Sequence, residues 1–293
     1  DRIPDILKRF RQAVLAAATS GKLTEEWREF ASLPFKKSES SLCLFDIPEN
    51  WIWTRILTIA DVKGGKRLPK GAKLVKENTG FPYIKAGQLK KGSVSAEAQE
   101  YLTPDIQKII KRYIVNSGDV YITIVGACIG DSGIIPHEYD KANLTENAAK
   151  LCNLKNVLNK YLAFWLRSLA AQNLIDLSVK SGAQGKLALM RIKEIPVPLP
   201  SIQEQTEIVR RVEELFAYAD RIEARYHAAR AQADKLTPAI LAKAFRGELV
   251  PQDPNDEPAS VLLERIRASR AEDAVSPKPK RSLGKKIKAT GKN

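Results

Sequence analysis

From Ser201 to Leu236 apolar residues recur at three- and four-residue spacing. Ile208, Val212, Leu215, Phe216, Ala219, Ile222 and Tyr226 mark the stripe, with charged residues filling the positions between. That period predicts one amphipathic helix with a single apolar face. Its start is well marked. Pro200 discourages earlier helix, Ser201 is placed to cap, and Glu204 is spaced to reach back as the second half of a capping box. Unbroken to Leu236, such a helix would span roughly 54 Å, the length of a spacer. Thr237 and Pro238 then read as a cap and first-turn proline that restart the helix with a kink near 237–238, and Gly247 as its C-terminal stop. After PQDPNDEP, the segment SVLLERIRASR predicts one last short amphipathic helix.

The first twenty residues follow the same rule, with Ile6, Leu7, Phe10, Val14 and Leu15 on one stripe that ends at Ser20-Gly21. Residues 13–23, AVLAAATSGKL, and 239–249, AILAKAFRGEL, share six of eleven letters, and Val14 stands opposite Ile240. Composition alone can produce such a match in Ala- and Leu-rich helix. The shared Gly-x-Leu stop favours a duplicated helix end.

Between these helical ends, residues 46–200 change character. WIWTRILTIADV, FPYIKAG, DVYITIVGACIG and SGIIP are β-branched and bounded by Gly or Pro, so they read as strands and turns. Two helices interrupt them: TPDIQKIIKRYI, with Thr103 as cap and Pro104 in the first turn, and LKNVLNKYLAFWLRSLAAQNLIDL. The second buries a stripe of Leu158, Tyr161, Leu162, Trp165, Leu166 and Leu169. The fold class is therefore α+β, a mixed globule followed by a helical spacer.

Charge sharpens this division. The net charge is +14, and residues 48–197 alone carry 22 Lys/Arg against 13 Asp/Glu. Residues 276–293 carry seven basic and no acidic side chains and read as a solvated, disordered tail. An excess of positive charge on a folded block points to a polyanionic partner, with an ordinary basic surface as the alternative. No apolar run approaches the roughly 20 residues a membrane span needs, so a cytoplasmic protein is expected. Cys43, Cys128 and Cys152 lie far apart without a C-x-x-C and read as small buried residues in a reducing compartment. Asp1 at the start and Met190 as the only methionine suggest the later part of a longer chain.

Catalytic motifs are missing. The chain has no G-x-G-x-x-G, no P-loop, no [ND]-P-P-[YFW] and no E-x-K, so neither cofactor nor metal is expected. His137 and His227 are the only histidines, too few for a histidine-rich metal site. What remains is binding. VKGGKRLPKGAKLVKEN gathers Lys63, Lys66, Arg67, Lys70, Lys73 and Lys76 around glycine turns. IKAGQLKKGSV places Gln88 beside Lys85, Lys90 and Lys91, and SVKSGAQGKLALMRI places Gln184 among Lys180, Lys186 and Arg191. Lysine and arginine supply salt-sensitive contact to phosphates, whereas glutamine can read base edges in a groove.

The order IPENW, SGDVYIT, G-x-x-I-G, YLAFWLRS, SGAQGKLAL and IPVPLPSIQEQTEIVRRVEEL resembles the target-recognition domain and following conserved helix of type I restriction-modification specificity subunits. FRQAVLAAATSGKLTEEWR and LTPAILAKAFRGELVPQDPNDEPASVLLERI resemble the ends of that family's two conserved helical regions. The resemblance implies a target-recognition domain with long, antiparallel, coiled-coil-like helices. It divides the chain into the end of a first conserved region with linker (1–45), a recognition domain (46–200), a long conserved helix (201–250), a short helix (251–272) and the basic tail (273–293). It implies a non-catalytic subunit that reads one half of a bipartite double-stranded DNA target. Modification (methyltransferase) subunits dock on it, and a motor-nuclease restriction subunit joins through the complex. Leu7, Phe10, Val14, Ile208, Val212, Leu215, Ile222, Ile240 and Phe245 are the expected helix-packing or partner residues. The chain departs from the full pattern in having one recognition domain. A helical protein-protein scaffold with an incidental basic surface is the competing reading.

Overall fold

The computed structural model describes residues 2–31, 44–180, 185–251, 253 and 255–275. Two compact units divide the chain, Asp1–His227 and Ala228–Asn293.

The first unit opens with α1 (Ile3–Thr19), a 3-10 turn and α2 (Glu25–Ala31). Of the expected stripe, Leu7, Val14 and Leu15 are buried together with Ala18 and Phe10 is partly covered, whereas Ile6 is exposed. Gly21 ends the helix at φ +81°, and a Cβ there would stand 2.3 Å from Pro48 Cγ. Glycine is thus demanded twice, by the left-handed turn and by the proline packed on it.

WIWTRILTIADV is not one strand. It divides into β1 (Ile52–Arg55), a single helical turn α3 (Ile56–Ile59) and β2 (Asp61–Gly64). There follow β3 (Pro82–Ile84), the short pair β4 (Leu89–Lys90) and β5 (Ser93–Val94), β6 (Glu100–Tyr101) and α4 (Pro104–Ile110). The helix expected through Ile114 stops early at Ile110. Asn143 Nδ2 donates to the Ile110 carbonyl at 2.8 Å, and the chain beyond bridges from Ile114 to Asn143. Then come β7 (Val120–Thr123), β8 (Ser132–Ile134), β9 (Asn143–Leu144) and β10 (Ala148–Cys152).

The long helix expected from Leu154 onward is two helices, α5 (Asn159–Arg167) and α6 (Leu169–Lys180). Ser168 takes an extended backbone between them, and its hydroxyl accepts from the Ala171 N–H at 3.4 Å. A serine that caps the next helix breaks the one before it. The break turns Leu169 outward, at 55% exposure, while Tyr161, Leu162, Trp165 and Leu166 stay buried. α7 (Leu189–Lys193) and β11 (Pro196–Leu199) lead to α8 (Ile202–Phe245).

β2-β10-β7-β8 form an antiparallel four-stranded sheet, β6-β3-β9 a three-stranded one with β3 parallel to β9, and β1 pairs with β11. Both faces of the larger sheet are covered. Val120 and Ile122 join the main core with α1, α5 and Ile208, Val209 and Val212 of α8, while Tyr121 joins a second cluster with Ile84, Leu89 and Ile135. This explains why VYIT is buried along its whole length rather than alternating.

Where IPENW meets SIQEQ, the two motifs become one structure. Ser201 Oγ accepts from the Glu204 N–H at 3.2 Å, as a cap should. The Glu204 side chain does not complete the box. It is fully buried and accepts from Arg28 Nη1 (2.5 Å), Thr24 Oγ1 (2.8 Å), Trp51 Nε1 (2.9 Å) and Asn50 Nδ2 (3.3 Å). Gln205 accepts from the Leu158 N–H and donates to the Asn156 and Pro200 carbonyls. A carboxylate removed from water needs such partners, and here they tie three parts of the chain to the start of α8. Further along, Arg11 of α1 pairs with Asp220 (2.6 Å) and Glu223 (2.7 Å) of α8.

In the second unit α8 continues from Ala228 and ends at Phe245, with Pro238 inside it. The restart expected at Thr237–Pro238 does not occur. Proline removes one helical hydrogen bond, and the flanking AILAKA residues are strong helix formers that carry the helix through. Gly247 (φ +71°) is the stop: its N–H reaches the Ala244 carbonyl and the Glu248 N–H reaches that of Lys243. α9 (Ala259–Val275) follows. The basic tail from Ser276 lies outside the described residues, as does Cys43. Cys152 is buried as expected, whereas Cys128 is exposed on the turn after β7.

Candidate nucleic-acid interface

The first basic loop leaves β2 through Gly64-Gly65. A Cβ on Gly65 would stand 2.0 Å from the Thr145 carbonyl oxygen, so only glycine lets the strand press against the backbone beyond β9. The Gly65 and Lys66 N–H groups bond the Ala148 and Leu144 carbonyls at 3.0 and 2.8 Å, which anchors the loop's root. Lys66 Nζ then lies 5.5 Å from the centroid of the Tyr113 ring. Lys63, Arg112, Tyr113 and Lys150 line a cavity of about 310 Å³ with the two glycines. Lys150, on β10, is held by Asp119 at 2.9 Å.

Several of the expected cations are paired. Lys63 meets Asp61 (3.4 Å), Arg67 meets Glu146 (2.6 Å), Lys85 meets Glu100 (2.6 Å) and Lys90 meets Glu97 (2.8 Å). Hydrogen bonds from Asn153 and then Lys63 hold the Asp61 carboxyl below its ordinary pKa, and the bond to Glu146 raises that of Arg67. Solvent screens exposed pairs of this kind, so an incoming phosphate can exchange for the carboxylate at little cost. Lys70, Lys73, Lys76, Lys91, Lys180 and Lys186 are exposed without an ion pair to a described residue.

One expectation is corrected. Gln88 is 4% exposed and its amide is consumed inside the fold. Its Oε1 accepts from the Lys85 N–H at 3.0 Å, and Nε2 donates to Gln99 Oε1 and the Ser95 carbonyl. It staples the 85–99 loop and has no group left for a base edge. Gln184 lies outside the described residues.

Nor do the three basic loops form one cluster. α7, which follows Lys186 and carries the exposed Arg191, packs on β2, and Leu189 lies beside Gly64. The first and third loops are therefore neighbours. The β4–β5 hairpin with Lys90 and Lys91 packs instead on β8, at the opposite edge of the sheet. Three strand spacings, roughly 14 Å, separate those edges. Arg112 and Lys150 escaped the sequence reading. KRY was read as the end of a helix, and the early stop at Ile110 is what frees Lys111 and Arg112 into an exposed turn; Lys150 looked like an ordinary strand residue.

Of the expected packing residues, Leu7, Val14, Ile208 and Val212 are buried, Phe10, Leu215 and Ile222 are partly covered, and Ile240 and Phe245 are exposed. Among the described residues no group of three or more His, Cys, Asp or Glu is placed to hold a metal, and no helix is long and apolar enough to cross a membrane.

A family model described as type I restriction modification DNA specificity domain matches residues 48–228. The chain is 39% identical over 289 residues to the type I restriction enzyme EcoBI specificity subunit of Escherichia coli, covering 92% of this chain and 58% of that one. To the EcoKI specificity subunit of Escherichia coli strain K12 it is 33% identical over 294 residues, covering 92% and 57%. Among solved structures, a chain from a study of type I R-M system assembly and conformational transition aligns with a TM-score of 0.57 at 20% identity, over 85% of this chain and 58% of that one. The type I restriction-modification system S subunit from M. genitalium aligns with a TM-score of 0.51 at 19% identity, over 80% and 54%. These two likenesses establish the fold, mixed helix and sheet with long helices. The chain spans about six tenths of the length of the curated relatives it matches. With the matched model covering most of the sheet-bearing unit and the start of α8, the chain belongs to the family of type I restriction-modification DNA specificity domains.

Proposed function

We propose that this chain is a non-catalytic specificity subunit, or the C-terminal half of one, that reads one half of a bipartite double-stranded DNA target in a type I restriction-modification complex in the cytoplasm. The observation that carries the reading is the convergence of Lys63, Arg112 and Lys150 on one cavity inside the matched specificity domain, with Lys66 over the ring of its lining residue Tyr113. Lys63, Lys66, Arg67, Lys70, Lys73 and Arg112 contact phosphates, with Lys180 and Lys186 on the neighbouring loop and Lys85, Lys90 and Lys91 at the far sheet edge. Gln184 remains the candidate for base readout. Residues 46–200 act as the recognition domain, 1–45 as the end of a first conserved helical region, and 201–250 as the conserved helix that spaces and docks modification subunits. Residues 251–272 add to that docking, and the motor-nuclease subunit joins through the complex. Methylation and cleavage belong to those partners.

Lys66→Ala and Arg112→Ala are expected to weaken binding to all duplex sequences alike and each to reduce the salt slope by about one. Gel retardation across a salt series measures both. Exchanging residues 48–197 for those of a relative, then mapping the positions methylated by the reconstituted complex, tests the specificity role. Unchanged sequence preference after the exchange would sink it, and no retardation of random duplex at low salt, with or without modification subunits, would favour a helical scaffold.

A further inference from the structure

A second basic cavity, of about 330 Å³, lies within the first unit where α1 and α8 meet the sheet-bearing part. Arg167, the last residue of α5, faces it with a half-buried guanidinium that stacks 5.9 Å from the Phe216 ring and makes no ion pair to a described residue. Gly92, at φ +80°, is what admits it: a Cβ there would stand 2.7 Å from Arg167 Nη1. Arg11 also lines the cavity, but Asp220 and Glu223 already hold it. Arg167 has five N–H donors with no hydrogen-bond acceptor among the described residues; Asp131 attracts it only at longer range, and burial lowers its pKa.

Two further polar groups in the same wall lack partners. Ser132 is 3% exposed and its Oγ has no hydrogen bond, and the buried Oε1 of Gln12 accepts none. Lys8 and Lys91 add positive charge to the lining. Asp131 is the one acidic side chain in the lining; burial pushes its carboxyl pKa up and the charge of Arg167 opposes that shift.

We propose that this cavity binds inorganic hydrogen phosphate. The Arg167 fork donates to two phosphate oxygens, the Ser132 hydroxyl to a third, and the phosphate's own P–OH donates to Gln12 Oε1. A sulfate, a DNA phosphodiester or a phosphate monoester dianion has no such proton at neutral pH and leaves Gln12 unsatisfied.

Thermal unfolding of the full chain, followed by tryptophan fluorescence at neutral pH and constant ionic strength, tests this with inorganic phosphate, glycerol 3-phosphate and sulfate, each against chloride. A saturable rise in Tm with phosphate is expected, because a ligand of the folded state stabilises it by mass action. Sulfate should need about tenfold more for the same shift, the worth of one hydrogen bond to a buried group. Glycerol 3-phosphate, mostly a dianion without a P–OH at neutral pH, should respond like sulfate, and tighter binding of it than of phosphate would overturn the P–OH contact. Arg167→Gln should abolish the saturable shift and Ser132→Ala should weaken it by about tenfold. If Arg167→Gln fails to fold by circular dichroism, Ser132→Ala and Lys91→Ala decide. No saturable shift over chloride, equal response to sulfate, or variants that titrate like the parent chain would overturn the proposal, as would displacement of phosphate by duplex DNA in an Arg167-dependent manner. The titration involves no DNA until that last arm, so its failure and the failure of the DNA reading are separate results.

Discussion

In residues 13–23, Val14, Leu15 and Ala18 are sealed in the main core, whereas in residues 239–249 the matching Ile240 and Leu241 are 43% and 50% exposed and Ala244 is exposed as well. Both copies are helical, and both stop at a glycine in the left-handed region, Gly21 at φ +81° and Gly247 at φ +71°. Period and stop signal are local properties and came out alike. Burial is not local: the first copy packs on α5 and α6 and shares a core cluster with the start of α8, while the second presents the same apolar letters to solvent. Under the proposed function, that exposed stripe is where modification subunits dock.

The largest break in this contrast is expected at Glu204, which ties Thr24, Arg28 and Trp51 just beyond the first copy to α8. Glu204→Ala leaves Arg28 without its buried counter-charge and should cost about 3–5 kcal/mol. Urea unfolding followed by tryptophan fluorescence reports on it directly, because all four tryptophans, at 27, 51, 53 and 165, belong to the first unit. An unchanged midpoint would show that the buried network does not hold the unit together.

Leucine truncation compares the copies themselves. Leu15→Ala should destabilise by about 2–5 kcal/mol through lost burial and a residual cavity. Leu241→Ala should change the stability of the chain alone by no more than about 0.5 kcal/mol. Equal losses in urea unfolding followed by far-UV circular dichroism, which reports on the helices of both units, would mean that the second copy is covered after all.

The two glycines separate backbone strain from packing. Gly21→Ala and Gly247→Ala share a conformational cost of roughly 1–2 kcal/mol for a left-handed alanine. Gly21→Ala adds the collision with Pro48 and should lower the thermal midpoint further than Gly247→Ala does.

The smallest effect concerns pH. Arg211 donates to the Leu23 carbonyl at the end of the first copy and is itself held by Glu207 at 2.6 Å. Hydrogen bonds from Arg210 and then Arg211 lower the Glu207 carboxyl from 4.5 to about 2, although partial burial opposes them. A depressed carboxylate stabilises the fold above its ordinary pKa, and that contribution is lost as pH falls from 4.5 toward 2. Glu207→Gln should therefore lower the neutral plateau of a stability-against-pH curve modestly, flatten its acid limb, and leave stability near pH 2 little changed. An identical acid limb in the variant would remove Glu207 from that role.

Residue by residue, the reading from sequence succeeded where the cause is short-range. The α8 stripe, the Ser201 cap, the Gly21 and Gly247 stops and the shift to strands in the middle block all follow from periodicity and turn chemistry within a few residues. It failed where two local signals compete or where a distant group wins. Ser168 divides a continuous apolar stripe, Asn143 ends α4 at Ile110 from across the fold, and Pro238 is absorbed by its helical neighbours. For the candidate interface, composition identified the basic loops but not their company: Arg112 and Lys150 join Lys63 and Lys66 only through the pairing of β2 with β10 and the turn after α4.

By itself, the sequence determined a family, a set of helices and strands, a surplus of positive charge on one block and the repeated helix end, because each is written in neighbouring letters. Only the tertiary structure decided that Gln88 is a loop staple and not a base reader, and that Glu204 leaves its capping box for a buried network. It also decided that one copy of the repeat is core and the other surface. Those outcomes depend on which polar groups lose water when distant segments meet, and a buried hydrogen bond or charge takes whatever partner the fold brings to it.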